Sequence, residues 1–96
     1  MEFLINIKIT WDEKLSEDTI AKLSVDERNM AAELAKAGNL IRMWRVPGRR
    51  ENWGLWQADS ATQMHEIVSA LPVWPYMDVQ IIALAEHPVD PGQKPV

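Results

Sequence analysis

The spacing of the apolar residues changes repeatedly along this chain, and the succession of those changes leaves few folds open. Over residues 2–11, Phe3, Ile5, Ile7, Ile9 and Trp11 fall on one face and Glu2, Asn6, Lys8 and Thr10 mostly on the other, which describes a half-buried strand. From residue 16 to 37 the rhythm becomes helical: Ile20, Leu23, Met30, Ala31 and Leu34 recur at steps of three and four. Ser16 is placed to cap that helix, Glu17 and Asp18 favour its first turn through the helix dipole, and Gly38 ends it. Residues 40–46 are again apolar, meet a turn at Pro47-Gly48-Arg49-Arg50, and continue into 52–58, so the pair reads as a β-hairpin. Ser60 with Gln63 opens a second helix by a capping-box pattern, its apolar face being Ala61, Met64, Ile67, Val68 and Leu71, and Pro72 closes it. Two prolines bracket Val73-Trp74-Pro75 and keep it from regular helix, and residues 77–85 supply a last Val- and Ile-rich strand.

The order is β-α-β-β-α-β, the split βαβ or ferredoxin-like arrangement of the α+β class. It implies an antiparallel sheet with both helices on one face. The other face needs a cover, and a second subunit packed sheet against sheet, in the manner of dimeric α+β barrels, would provide it. The domain runs over residues 1–88, and 89–96 is expected to be an extended tail, since residues 86–96 hold three prolines and a glycine.

Composition bears on function mainly by exclusion. A chain of 96 residues buries a modest core, and five tryptophans with five methionines exceed what such a core hides, so part of that surface is expected at a pocket or subunit contact. A net charge of −4 with no basic cluster beyond Arg49-Arg50 argues against nucleic acid. Without cysteine there are no disulfides, thiolate chemistry or common structural zinc. The first residues lack the pattern of a signal peptide and no stretch is long enough to span a bilayer, so the expectation is a cytoplasmic protein with no membrane partner. His65 and His87 lack metal-site spacing, and no metal is expected; no phosphate-binding glycine loop or nucleophile elbow is present either.

The residue that stands out is Glu27, near the centre of the first helix's apolar stripe. A carboxylate facing a packed interior must be paired or hold its proton more tightly than usual. Two readings stand: a structural ion pair with Lys22, Arg28 or a sheet arginine, or an acid–base group in an apolar pocket that holds a small organic acid. Arg42 and Arg45 lie within an apolar strand and suit a pocket or interface, whereas solvation is the simple account of Arg49, Arg50 and Asp26.

Taken in order, Asp26-Glu27, Gly38, Trp44-Arg45, Gly48, Asn52, Ser60, His65, Leu71-Pro72, Pro75-Tyr76-Met77-Asp78 and His87-Pro88 resemble the muconolactone isomerase family of bacterial catechol degradation along almost the whole chain. The most specific part is the run Leu71 to Asp78. The resemblance implies a ferredoxin-like subunit in a large homo-oligomer, described as a decamer built from dimers, with sites at subunit boundaries and no cofactor or metal. It implies a 1,3-proton shift in an unsaturated lactone: a base takes the proton from the ring carbon bearing the side chain and returns one beside the carbonyl, so that muconolactone becomes the 3-oxoadipate enol-lactone. Glu27 and Tyr76 are then the catalytic candidates, and Arg45, Asn52, Trp44 and Ser24 the substrate-binding ones, toward a small lactone carboxylate. Ser24 is a departure, because the family carries lysine three residues before the glutamate, and Arg49-Arg50-Glu51 replace histidine, tyrosine and a small residue. Dehalogenation of a chloromuconolactone by the same base, a cofactor-free oxygenase on the same fold, and an oligomeric lactone-binding protein without chemistry are the competing expectations.

Overall fold

A computed structural model describes residues 1–92. Strand β1 (Glu2–Ile9) is followed by helix α1 (Glu17–Lys36), the hairpin β2 (Leu40–Arg45) and β3 (Glu51–Gln57), helix α2 (Ala61–Ser69), a single 3-10 turn at Trp74–Tyr76, and β4 (Met77–Leu84). The sheet order is β2-β3-β1-β4, and each neighbouring pair is antiparallel. This is the ferredoxin-like α+β arrangement expected from the sequence. Residues 93–96 of the anticipated tail lie outside the described residues. Its described part is turned rather than extended, with the Asp90 N–H donating to His87 O and the Gly92 N–H to Asp90 Oδ1.

Each boundary has a local cause. The Ser16 Oγ accepts from the Thr19 N–H at 3.1 Å and starts α1. At the other end Gly38 takes φ +89°, and the Asn39 N–H reaches Leu34 O at 2.9 Å, closing the helix with the left-handed residue that glycine adopts most cheaply. The Ser60 Oγ caps α2 through the Gln63 N–H, while the Gln63 side chain reaches back to the Asp59 N–H, one residue before the position that a capping box uses.

The two helices treat the sheet differently. Beneath α2, Met64 and Val68 pack with Phe3, Ile5, Ile7, Trp56, Ala58 and Leu71 into the buried core, and full burial of such side chains contributes about 1.5–3 kcal/mol each. Helix α1 rides higher. Its stripe residues Ile20, Leu23, Ala31 and Leu34 are half-buried, and Met30, expected on the same stripe, is 39% exposed. The core therefore fills one end of the helix layer, and a cleft is left at the other, between α1 and the sheet.

A bulge decides which strand residues enter that cleft. Leu40 pairs with Trp56, but the register then slips, and Arg42 pairs with Leu55, Met43 with Gly54, Trp44 with Trp53 and Arg45 with Asn52. Directly opposed residues share a face, so Leu40, Met43 and Arg45 point inward with Trp56, while Arg42 and Trp44 point to the open face. Strict alternation from Leu40 would have reversed the last four.

Candidate active site

The cleft is a cavity of about 350 Å³ bounded by Ser24, Glu27, Arg28 and Ala31 of α1, Met43 and Arg45 of β2, Asn52 and Trp56 of β3, Ile7, Ile9 and Trp11, and by Leu71, Val73 and Met77. It is continuous with a more polar recess of about 530 Å³, since both are lined by Ile9, Trp11, Ser24, Met43, Arg45 and Asn52, and the recess adds Arg50 and Glu51. These sizes suit a small organic ligand. The walls around Glu27 are mostly apolar; Arg28 lines that cavity, Arg45 lines both cavity and recess, and Arg50 lines the recess.

Glu27 sits on the cleft side of α1, and its Oε1 accepts a hydrogen bond from the Val73 N–H at 2.9 Å. That donor belongs to the Pro72–Pro75 stretch, where the chain has left α2 and offers few other backbone N–H groups. Among the described residues the ion pairs are Lys22 with Asp26 at 3.3 Å and Arg49 with Glu51 at 4.0 Å, and neither includes Glu27. The structural ion pair that the sequence left open for Glu27 is not formed, and Asp26, expected to be simply solvated, is partly exposed and paired with Lys22 one helical turn before it. Desolvation raises the Glu27 carboxyl above its ordinary value, and the Val73 N–H, which favours the anion, offsets only part of this.

The sign of the pH effect follows. A carboxyl held above its unfolded value binds its proton more tightly in the fold, so its ionisation weakens the fold as pH rises through the window between the two values. Glu27→Gln keeps an oxygen for Val73 and has no charge to bury. Its melting temperature relative to wild type is expected to rise between pH 4 and 7, as thermal unfolding followed by circular dichroism would read; a gap that closes with rising pH would contradict the burial of Glu27.

Arg45 and Asn52 pair across the hairpin on the inward face, and both line the cleft. Asn52 is held in place from behind, where Asn6, only 5% exposed, donates from Nδ2 to Asn52 O and to Glu51 Oε2. Ser24 also lines the cleft, and its Oγ donates to Ile20 O at 2.8 Å. Two candidates stand elsewhere. Trp44 is on the open face, 45% exposed, with the Arg42 guanidinium 5.0 Å from its ring centre; the bulge in β2 sends it there, and consecutive strand residues cannot both face one cleft. Tyr76 is not among the residues that line the cavity; its ring packs at a tilt of 44° against Trp11, with ring centres 5.4 Å apart, and it is Trp11 that reaches the cavity. His65 packs edge-on against Trp74, and His87 Nδ1 accepts from the Val89 N–H, both away from the cleft.

The sequence reading missed Trp11, Met43, Arg50, Trp56 and Val73. Trp11 and Trp56 follow from alternation once the strands are aligned; Val73 contributes through its backbone, which leaves no side-chain signal.

On this ferredoxin-like fold a desolvated carboxyl shares one mostly apolar cleft with an arginine and an asparagine, a set of side chains that suits a small enzyme's acid–base site. The family model for muconolactone delta-isomerase matches residues 1–90, and the chain belongs to that family of isomerases. It is 31% identical over 87 residues to muconolactone delta-isomerase 2 of Acinetobacter lwoffii, with 91% of each chain covered. With muconolactone delta-isomerase of Rhodococcus opacus it shares 35% identity over 79 residues, 82% of this chain and 81% of the relative. The crystal structure of a muconolactone isomerase superimposes with a TM-score of 0.89 at 24% identity, covering 98% of both chains, which establishes the common fold. Among the described residues no helix is long and apolar enough to cross a membrane.

Proposed function

We propose that this chain isomerises muconolactone or a close unsaturated lactone acid to the corresponding enol-lactone, with Glu27 carrying the proton. The observation behind this reading is the Glu27 carboxylate itself: free of any ion pair among the described residues, raised by desolvation, and set in the same cavity as Arg45 and Asn52. A base for a carbon acid must be ionised near neutrality yet strong enough to take the proton, and a carboxyl displaced upward meets both needs. The C–H bond at the ring carbon bearing the side chain breaks toward Glu27. Its electrons move through the ring double bond to the lactone carbonyl oxygen as a dienolate. Glu27 then returns the proton to the carbon beside the carbonyl, and the double bond has moved. Asn52 faces the dienolate as a hydrogen-bond donor, and Arg45 meets the substrate's carboxylate at the polar end of the cleft.

Incubation with muconolactone, followed by NMR for the enol-lactone, tests the reading. Chloride release from 5-chloromuconolactone in place of isomerisation would assign the dehalogenase reaction instead. Tight binding of the lactone with no turnover would leave a binding protein.

The reading includes assembly. The open sheet face carries Trp44, Ile82 and Leu84 with 45%, 37% and 39% exposure, apolar surface of the kind that a second copy covers. A homo-oligomer built from dimers, a decamer by the family resemblance, is the expected state. Sedimentation equilibrium should give a mass several times the 11.0 kDa of one chain, and Trp44→Lys should lower it; a monomer at micromolar concentration would contradict assembly.

A further inference from the structure

Among the described residues, the buried side-chain polar atoms without a hydrogen-bond partner are Asn52 Oδ1 and Trp56 Nε1. Both residues lie on the inward face of β3, and both line the cavity that holds Glu27. Buried polar groups are almost always satisfied, so two orphans at one place call for whatever satisfies them. Gly54 stands between them on the same face. A Cβ there would come within 2.5 Å of Trp56 Nε1 and 3.0 Å of Cδ1, so the N–H edge of the indole occupies the space that this glycine leaves. Any other residue at 54 would force the indole, 1% exposed and part of the core, to move.

We propose that Trp56 is a further substrate-contacting residue, its indole N–H donating to the carbonyl oxygen of the lactone ring, with Gly54 as the residue that lets it lie there. This rests on the isomerase reading of the site. As electrons pass from the broken C–H bond to the carbonyl, that oxygen gains negative charge and the hydrogen bond strengthens; when the proton is returned the charge leaves it again. Indole N–H is a donor only, as an oxyanion requires. Asn52, its amide turned end for end, presents its NH2 to the same oxygen, so a carbonyl with two lone pairs meets two donors. Neither orphan is open to bulk water in the free chain. Met43, paired with Gly54 on the same cavity wall, unbranched and 42% exposed, is the side chain placed to yield to an entering ligand.

Trp56→Phe removes the N–H and keeps an aromatic ring. Loss of one oxyanion donor costs on the order of 10²- to 10³-fold in kcat where it has been measured, and for a neutral indole at least about tenfold is expected here, with little change in KM. The melting temperature should fall, because the smaller ring leaves part of the buried indole's volume empty, so the rates are compared below the variant's unfolding range with circular dichroism reporting the fold. A second readout does not depend on turnover. In ¹H–¹⁵N spectra the indole signal absent from Trp56→Phe belongs to Trp56, and (5-oxotetrahydrofuran-2-yl)acetate, a saturated lactone acid with no double bond to move, should shift it downfield. In Gly54→Ala, which keeps the N–H but displaces the ring, the analogue should no longer shift it. A Trp56 signal that the saturated lactone leaves unmoved overturns the proposal, as does a Trp56→Phe kcat within twofold of wild type. Should wild type fail to isomerise muconolactone, the isomerase reading falls, and the indole shift alone decides this contact.

Discussion

Glu27→Gln is expected to lower kcat for lactone isomerisation by on the order of 10²- to 10⁴-fold while leaving the far-ultraviolet circular dichroism unchanged. The substitution is nearly isosteric, and its amide oxygen can still accept from the Val73 N–H, so the 2.9 Å link between α1 and the segment after α2 survives. What is lost is the ability to take a proton from carbon. Glu27→Asp should fall between the two, because it keeps the carboxylate but withdraws it by one methylene from the reacting carbon, and a displacement of about 1 Å costs roughly 10²-fold. In the wild type, kcat/KM should fall as pH drops through the raised value of Glu27, so its acid limb lies above the range of an ordinary glutamate. Retention of wild-type kcat by Glu27→Gln would remove Glu27 from the chemistry even if the chain proved to be an isomerase.

Arg45→Met should act on the other end of the substrate. Arg45 lines both the apolar cavity and the polar recess, and it faces Asn52 across the hairpin. A charge-assisted hydrogen bond to a carboxylate contributes about 1.5–3 kcal/mol, which converts to a KM roughly 10- to 100-fold higher, with kcat less affected if the contact is equally strong in ground and transition states. Steady-state kinetics at low and high salt would read this. The wild-type KM should rise with ionic strength more steeply than that of Arg45→Met, because the recess is open and salt screens the pair. Arg45→Lys should recover part of the loss, since it restores the charge without the planar fork. An unchanged KM in Arg45→Met would move the carboxylate contact elsewhere, and Arg50 on the rim of the same recess is the next cation to test.

Much of this is legible in the amino-acid sequence. The alternation of Phe3, Ile5 and Ile7, the caps at Ser16 and Ser60 and the stops at Gly38 and Pro72 all reflect local chemistry, and the element order they give fixes the sheet. Glu27 was visible for the same reason: a charge at a position the helical period reserves for apolar side chains. The features that escaped are those that depend on pairing. A bulge between Leu40 and Arg42 has no signature in an apolar run, yet it sends Trp44 out and brings Arg45 in. Met30 follows the helical period but is exposed, because it lies with Asp26, Asn29 and Glu33 beside Pro72, off the side of α1 that lines the cleft. The relation of Gly54 to the Trp56 indole exists only once β3 is built with its side chains.

The most direct test of the account is a reaction run with muconolactone deuterated at the ring carbon that bears the side chain and followed by NMR with wild-type protein. The deuterium should leave that carbon as the enol-lactone appears, with a primary isotope effect on kcat/KM, and Glu27→Gln should leave it in place. Recovery of the labelled lactone unchanged from a wild-type protein that binds it would rule out Glu27 as a proton carrier and the chain as an isomerase of this lactone.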